Sequence, residues 1–168
     1  MNSIELKNLQ APLKEKYRTE PESAMITLKA SGEIGEGISC NIETSHALIE
    51  AGLHPATGGT GLLACSGDLL LQALVACAGV TLRAVATAIG VEIKNGVVKA
   101  EGDLDFRGTL GVSREAAVGF KTIRLEFNLD AVATSEQIES ISKLTERYCV
   151  VYQTLTKGVA VETKYHLQ

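Results

Sequence analysis

The sequence predicts an α+β fold with a mainly antiparallel sheet, and three observations carry that prediction. Strand-like stretches come in blocks, not in strict alternation with helices, which argues against a doubly wound parallel sheet. Two helical patterns, roughly Ser66–Ile89 and Thr134–Lys157, are each bounded by a capping signal and a stop glycine. The chain of 168 residues, 45% of them hydrophobic, is large enough to bury a core without metal or disulfide staples. We therefore expect a single domain over residues 1–168, with 1–24 a polar arm and 25–168 the core.

Taken in order, the core opens on Ile26, Leu28 and Ala30, a glycine-rich turn "SGEIGEG", and Ile38, Cys40 and Ile42. That alternation predicts a β-hairpin with one buried face. From Ser45 to Ala64 the chain contains "HPATGGTG" and reads as a loop. Ser66 is placed to cap the first long helix, and Asp68 suits the positive end of its dipole. Between Leu69 and Val80 this helix is apolar nearly all the way round, which predicts a central position, and Gly90 is placed to end it. "VEIKNGVVKAEGDLDF" alternates at Val98, Ala100, Gly102, Leu104 and Phe106, and "FKTIRLEFNL" at Ile123, Leu125, Phe127 and Leu129; both predict strands. "TSEQ" is a capping box for the second helix, which carries Ile138, Ile141, Leu144, Tyr148, Val151, Tyr152 and Leu155 on one stripe to Gly158. "VAVETKYHL" predicts a closing strand.

A net charge of -4 and a pI near 5.4, with no Lys/Arg cluster, argue against nucleic acid or an anionic membrane surface as partner. The N-terminus lacks the apolar run of a signal peptide. Leu69–Val80 is interrupted by Gln72 and falls short of a bilayer span, so the expected location is the cytoplasm. His46, His54 and His166 show no ligand spacing, and "TGGTG" lacks the Lys and Ser/Thr of a phosphate loop, so neither metal nor cofactor is expected.

Four cysteines, at 40, 65, 77 and 149, form neither a CxxC pair nor a zinc pattern. Cys65 and Cys77 are separated along a helix by about 18 Å, well beyond the reach of a disulfide. Cys40, between Ile38 and Ile42, and Cys65, just outside the helix, read as small buried or half-buried residues. Cys77 and Cys149 each lie within a predicted helix. From the residues alone they are either two core cysteines or a redox pair.

"GDLLLQALVACAGVTLRAVA" resembles the central-helix motif of the OsmC/Ohr family, in which a run like "ELLLAALAAC" ends in the reactive cysteine. "LTERYCVVYQTLTKGVAVET" resembles the family's second motif, a helix with "CPVxxxL" before the last strand, and the order of elements is similar from about Met25 to Leu167. The resemblance implies an intertwined homodimer with two long helices in the core. It also implies a thiol peroxidase: Cys77 attacks a hydroperoxide, Cys149 resolves the sulfenic acid as a disulfide, and a cellular dithiol reduces it. Hydrogen peroxide or an organic hydroperoxide would be the substrate.

The family's peroxidases support the first cysteine with an arginine from the preceding loop and a glutamate ten residues ahead. Here Gly67 stands ten residues ahead, Asp68 falls on the opposite side of the helix from Cys77, and the loop holds no arginine. His54 is its ionisable residue, and Val150 replaces the proline. Two function classes follow. One is a cysteine-based peroxidase. The other is a small-molecule binding module of the same fold that has lost its activating charges.

Overall fold

In the computed structural model the chain is described over residues 2–25, 27, 32–34, 39–43 and 48–167. The expected N-terminal arm is a helix, α1 (Ser3–Thr19), opened by a capping box in which Asn2 and Glu5 exchange side-chain-to-backbone hydrogen bonds. Pro12 lies inside it, where it removes one helical donor, and the helix has no buried residue. A 3-10 turn, Pro21–Ala24, follows.

The hairpin exists, but its first strand is β1 (Gly32–Ile34), inside what the sequence suggested was the turn. It pairs antiparallel with β2 (Ser39–Glu43), setting Gly32 opposite Ile42 and Ile34 opposite Cys40. Ile26, Leu28, Ala30 and Ile38 lie outside the described residues. The expected loop from Ser45 to Ala64 holds a further strand, β3 (Leu48–Gly52), antiparallel to β2. After a 3-10 turn at Pro55–Thr57, a two-residue strand, β4 (Ala64–Cys65), runs parallel to β3. Glycines at 58, 59 and 61 obscure this stretch in sequence; Gly58 and Gly61 take positive φ, the region where a side chain is strained.

Helix α2 (Ser66–Ala88) starts directly from β4, with Cys65 rather than Ser66 at the cap position. Gly90 ends it at φ +76. Its buried stripe is Leu74, Ala78, Leu82, Val85 and Ala86, a helical spacing that puts all five on one face. This stripe packs on β5, α4 and α5. The helix is not enclosed all round, since Val80 is 73% exposed in the single chain. The helix runs on to Ala88 with Arg83 as its one charge after Asp68, and by length and composition alone it could cross a membrane. What makes it a packing helix is the set of elements against its stripe.

β5 (Ile93–Asp103) and β6 (Thr122–Ala131) form a second, antiparallel sheet, joined by a segment with a short helix, α3 (Phe106–Thr109). Val98, Ala100 and Gly102 alternate half-buried with exposed neighbours, as do Ile123, Leu125, Phe127 and Leu129. Phe127 and Leu129 pack on a core of Leu82, Val85, Ala86, Val91, Ile93 and Ile141. Each fully buried large aliphatic here contributes about 1.5–3 kcal/mol.

The second long helix is two. The capping box of Thr134 and Gln137 forms as expected and opens α4 (Ser135–Tyr148); α5 (Val150–Lys157) follows after a break at Cys149 and stops at Gly158. α1, at 17 residues, is longer than α4, at 14. The expected closing strand is not seen: residues 158–167 pair with no described strand and are exposed, Tyr165 at 92% and Leu167 at 101%.

Candidate thiol site

Cys77 sits on α2 beside the buried stripe, between Leu74 and Ala78, and is half-buried. On α4 the residues Ile141, Thr145 and Cys149 recur every four positions and are all buried, so they form the strip facing α2. Ile141 joins the core with Leu82 and Val85, whereas Cys149 meets Cys77. The two helices therefore run past each other in opposite senses, and Thr145 falls level with residues 78–81.

Cys149 does not lie mid-helix. Its backbone, φ -73 and ψ 109, leaves the helical region. Its N–H donates to the Thr145 carbonyl, closing α4, and its carbonyl accepts from Gln153, opening α5. A helix start leaves its first N–H groups without intrahelical acceptors, and the Cys149 side chain makes no cap hydrogen bond to them. The Val150 and Val151 N–H groups favour the Cys77 thiolate, and the Tyr152 and Val151 N–H groups favour that of Cys149.

The two thiols are driven apart by this arrangement. Burial pushes the Cys77 thiol up, but hydrogen bonds to the thiolate from the Val151 N–H, the Cys149 thiol, the Val150 N–H and the Thr81 hydroxyl together bring it below its ordinary value. For Cys149, burial is the largest cause and raises the thiol; the bond it gives to Cys77, and the negative charge there, raise it further. Both are free thiols, as is Cys65. Cys77 is thus the member suited to be a thiolate.

Among the described residues no charged side chain contributes to the Cys77 shift. Four described arginines have other partners: Arg124 with Glu101 and Asp103, Arg107 with Asp105, Arg83 with the Ile93 carbonyl, and Arg147 over the Tyr148 ring. His54, the ionisable residue of the preceding loop, is half-buried and does not contribute to the Cys77 shift. Its Nδ1 accepts from the Ala56 N–H at 3.0 Å, and its ring stacks on Phe106 at 4.9 Å. It lines a cavity of about 360 Å³ with Cys65, Asp68 and Phe120. Cys40 pairs through its backbone in β2, His46 is outside the described residues, and His166 is exposed.

A second cavity, of about 460 Å³, lies between α1 and α2 and is lined by Leu6, Val80, Thr81, Ala84, Val85 and Tyr148, among others. Thr81 is one turn after Cys77, and Tyr148 immediately precedes Cys149. Neither cysteine lines the cavity itself.

Residues 59–164, well over half of the chain, match the family described as OsmC-like protein. The chain belongs to the OsmC-like protein family. No curated protein matches it in sequence. Among solved structures, the OsmC-like fold recurs in the OsmC-like protein of Mycoplasma pneumoniae, at 17% identity and a TM-score of 0.66, covering 80% of this chain and 89% of that one. It also recurs in an organic hydroperoxide resistance protein of Legionella pneumophila, at 18% identity and a TM-score of 0.61, covering 79% and 90%. An organic hydroperoxide resistance protein from Elizabethkingia anophelis with thiocyanate bound gives 17% identity and a TM-score of 0.62, covering 80% and 91%.

Of the residues singled out in this OsmC-like sequence, Cys77 and Cys149 come together, whereas Cys65 and His54 share a different cavity. Thr81, Val150 and Val151 were not found from sequence. The proline that marks the helix start in the family motif is Val150 here, so the signal for the break is missing.

Proposed function

We propose that this OsmC-like protein is a cysteine-based peroxidase that reduces organic hydroperoxides or hydrogen peroxide, with Cys77 as nucleophile and Cys149 as resolving thiol. One observation carries the reading: two free thiols that act on each other, the Cys77 thiol lowered and the buried Cys149 thiol raised. The Cys77 thiolate attacks the terminal peroxide oxygen. An S–O bond forms, the O–O bond breaks, and the alkoxide leaves as an alcohol after taking a proton from solvent. Cys149 then attacks the sulfenic sulfur, forming the disulfide and releasing water. A dithiol reductant returns both cysteines to thiols by exchange.

The functional unit in this reading is a cytoplasmic homodimer. Val80 on α2 and Val159, Val161, Tyr165 and Leu167 beyond α5 are apolar and exposed in the single chain, and a partner copy would cover them. The cavity beside Thr81 is the route by which an apolar hydroperoxide reaches Cys77.

A second reading, a binding module of the same fold, is favoured by the absence of a charged neighbour at Cys77. Steady-state consumption of cumene hydroperoxide with dithiothreitol as reductant separates the two. Turnover by the wild type, abolished in Cys77→Ser, is expected; no turnover by the wild type would leave the binding module.

A further inference from the structure

We infer that the cavity at the start of α2, away from the cysteine pair, is a binding site for a small organic cation with a planar apolar body. Neither Cys77 nor Cys149 lines it, so the site does not depend on the thiol chemistry.

Two adjoining cavities, of about 360 and 370 Å³, share His54, Cys65, Gly67, Leu104, Phe106 and Phe120 in their walls. Volumes of this size fall within the range of small-molecule pockets. Glycines make the space. A Cβ on Gly67 would lie 3.4 Å from Phe120, 3.6 Å from the Cys65 sulfur and 3.7 Å from Leu104. All three are wall residues, so a longer side chain at 67 would fill the cavity. On β5, a Cβ on Gly102 would collide with the Phe120 ring. Glycine there lets the ring lie close over the strand and form part of the wall.

The wall is aromatic. His54 is fixed by its own turn: its Nδ1 accepts from the Ala56 N–H at 3.0 Å, and its carbonyl accepts from the Thr57 N–H at 2.8 Å. An imidazole that accepts at Nδ1 is neutral, with its proton on Nε2. Its ring stacks on Phe106, with centroids 4.9 Å apart and planes 17° apart, and Phe120 adds a third ring. The faces of such rings are negative and attract cations.

The charged groups point the same way. Asp68 and Asp103 line the first cavity, and no lysine or arginine lines either one. Asp103 is taken by Arg124. Asp68, in the first turn of α2, has no hydrogen bond or ion pair among the described residues. The helix N-terminus opposes it with about half a positive charge, which the full charge of the carboxylate outweighs. A cation is therefore favoured over an anion, with its apolar body against the rings.

The test compares 2-phenylethylamine, 2-phenylethanol and phenylacetate on the full-length reduced protein, three probes of similar body with a cationic, neutral or anionic head. Calorimetry gives their affinities, and iodoacetamide adducts mapped at Cys65 and Cys77 give the place. The amine should bind about tenfold more tightly than the alcohol, which an exposed ion pair and a cation–π contact together supply, and the acid should bind most weakly. The amine should slow alkylation of Cys65 and leave that of Cys77 unchanged. Asp68→Asn, at an exposed position, should weaken the amine by about threefold to fivefold and leave the alcohol unaffected. Gly67→Leu should remove binding of the amine; if that variant does not fold, Asp68→Asn alone decides. No binding of the amine, equal affinities for all three probes, or tightest binding of the acid overturns the inference. So does protection of Cys77 instead of Cys65, or an amine affinity that Asp68→Asn leaves unchanged.

Discussion

Cys149 and Cys77 act on each other, and the two thiols move to opposite sides of the ordinary thiol range. The asymmetry comes from where each sulfur sits. Cys149 is fully buried at a helix break, whereas Cys77 is half-buried. Both thiols have helix-start N–H groups that favour the thiolate, and burial together with the charge at Cys77 keeps the proton on Cys149.

That asymmetry sets an order of reactivity. With limiting iodoacetamide at neutral pH, Cys77 should be modified before Cys149 and before Cys65. Mapped adducts decide it, and faster labelling of either of the others would reverse the assignment of the nucleophile.

Stability should follow pH with opposite signs at the two cysteines. The folded value of Cys77 is depressed, so the native state releases this proton before the unfolded chain does. Its contribution is complete above about 8.5, the ordinary thiol value, and is lost as pH falls through the folded value. The folded value of Cys149 is raised, so stability falls as pH climbs from about 8.5 through that value. In urea unfolding under reducing conditions, Cys77→Ser should lose the rise on the acid side of about 8.5, and Cys149→Ser should lose the alkaline fall. Parallel curves for wild type and both variants would contradict both shifts.

Thr145 is 3% exposed and its hydroxyl has no hydrogen-bond partner among the described residues. Leaving such a group unpaired costs about 1–3 kcal/mol, and valine has nearly the same shape. Thr145→Val should therefore raise stability by about 1 kcal/mol, or about 2–4 °C in Tm for a chain of this size. A loss of stability would mean that the hydroxyl has a partner in solution.

The exposed apolar tail gives a test of association. Val161→Asp with Leu167→Asp changes residues 79% and 101% exposed in the single chain, where such substitutions stay within about 0.5 kcal/mol. Sedimentation should show a dimer for the wild type and monomer for the double variant. A monomeric wild type would contradict the dimer.

The elements legible in sequence were those whose signals are local. The Thr134–Gln137 capping box, the stop at Gly90 and the period-two runs in β5 and β6 are each set by residues within a few positions of one another. The cysteine pair was legible because two helical patterns each carried one sulfur. The break at Cys149 was not, because Tyr148, Val151, Tyr152 and Leu155 keep a continuous helical stripe across it and Val150 carries no breaker signal. α1 was hidden by Pro12, although Asn2 and Glu5 spell a capping box. The last strand failed for a different reason: alternation in "VAVETKYHL" describes a strand's faces, but a strand also needs a neighbour to bond, and no described strand pairs with it.

The most direct test of the central claim is intact and peptide mass spectrometry after stoichiometric tert-butyl hydroperoxide. The wild type should lose two hydrogens and yield a Cys77–Cys149 bridge, and Cys149→Ser should carry a sulfenic or further oxidised Cys77. Cys77→Ser should stay reduced. No bridge in the wild type, together with no oxidation of Cys77 even at alkaline pH, would contradict the peroxidase account.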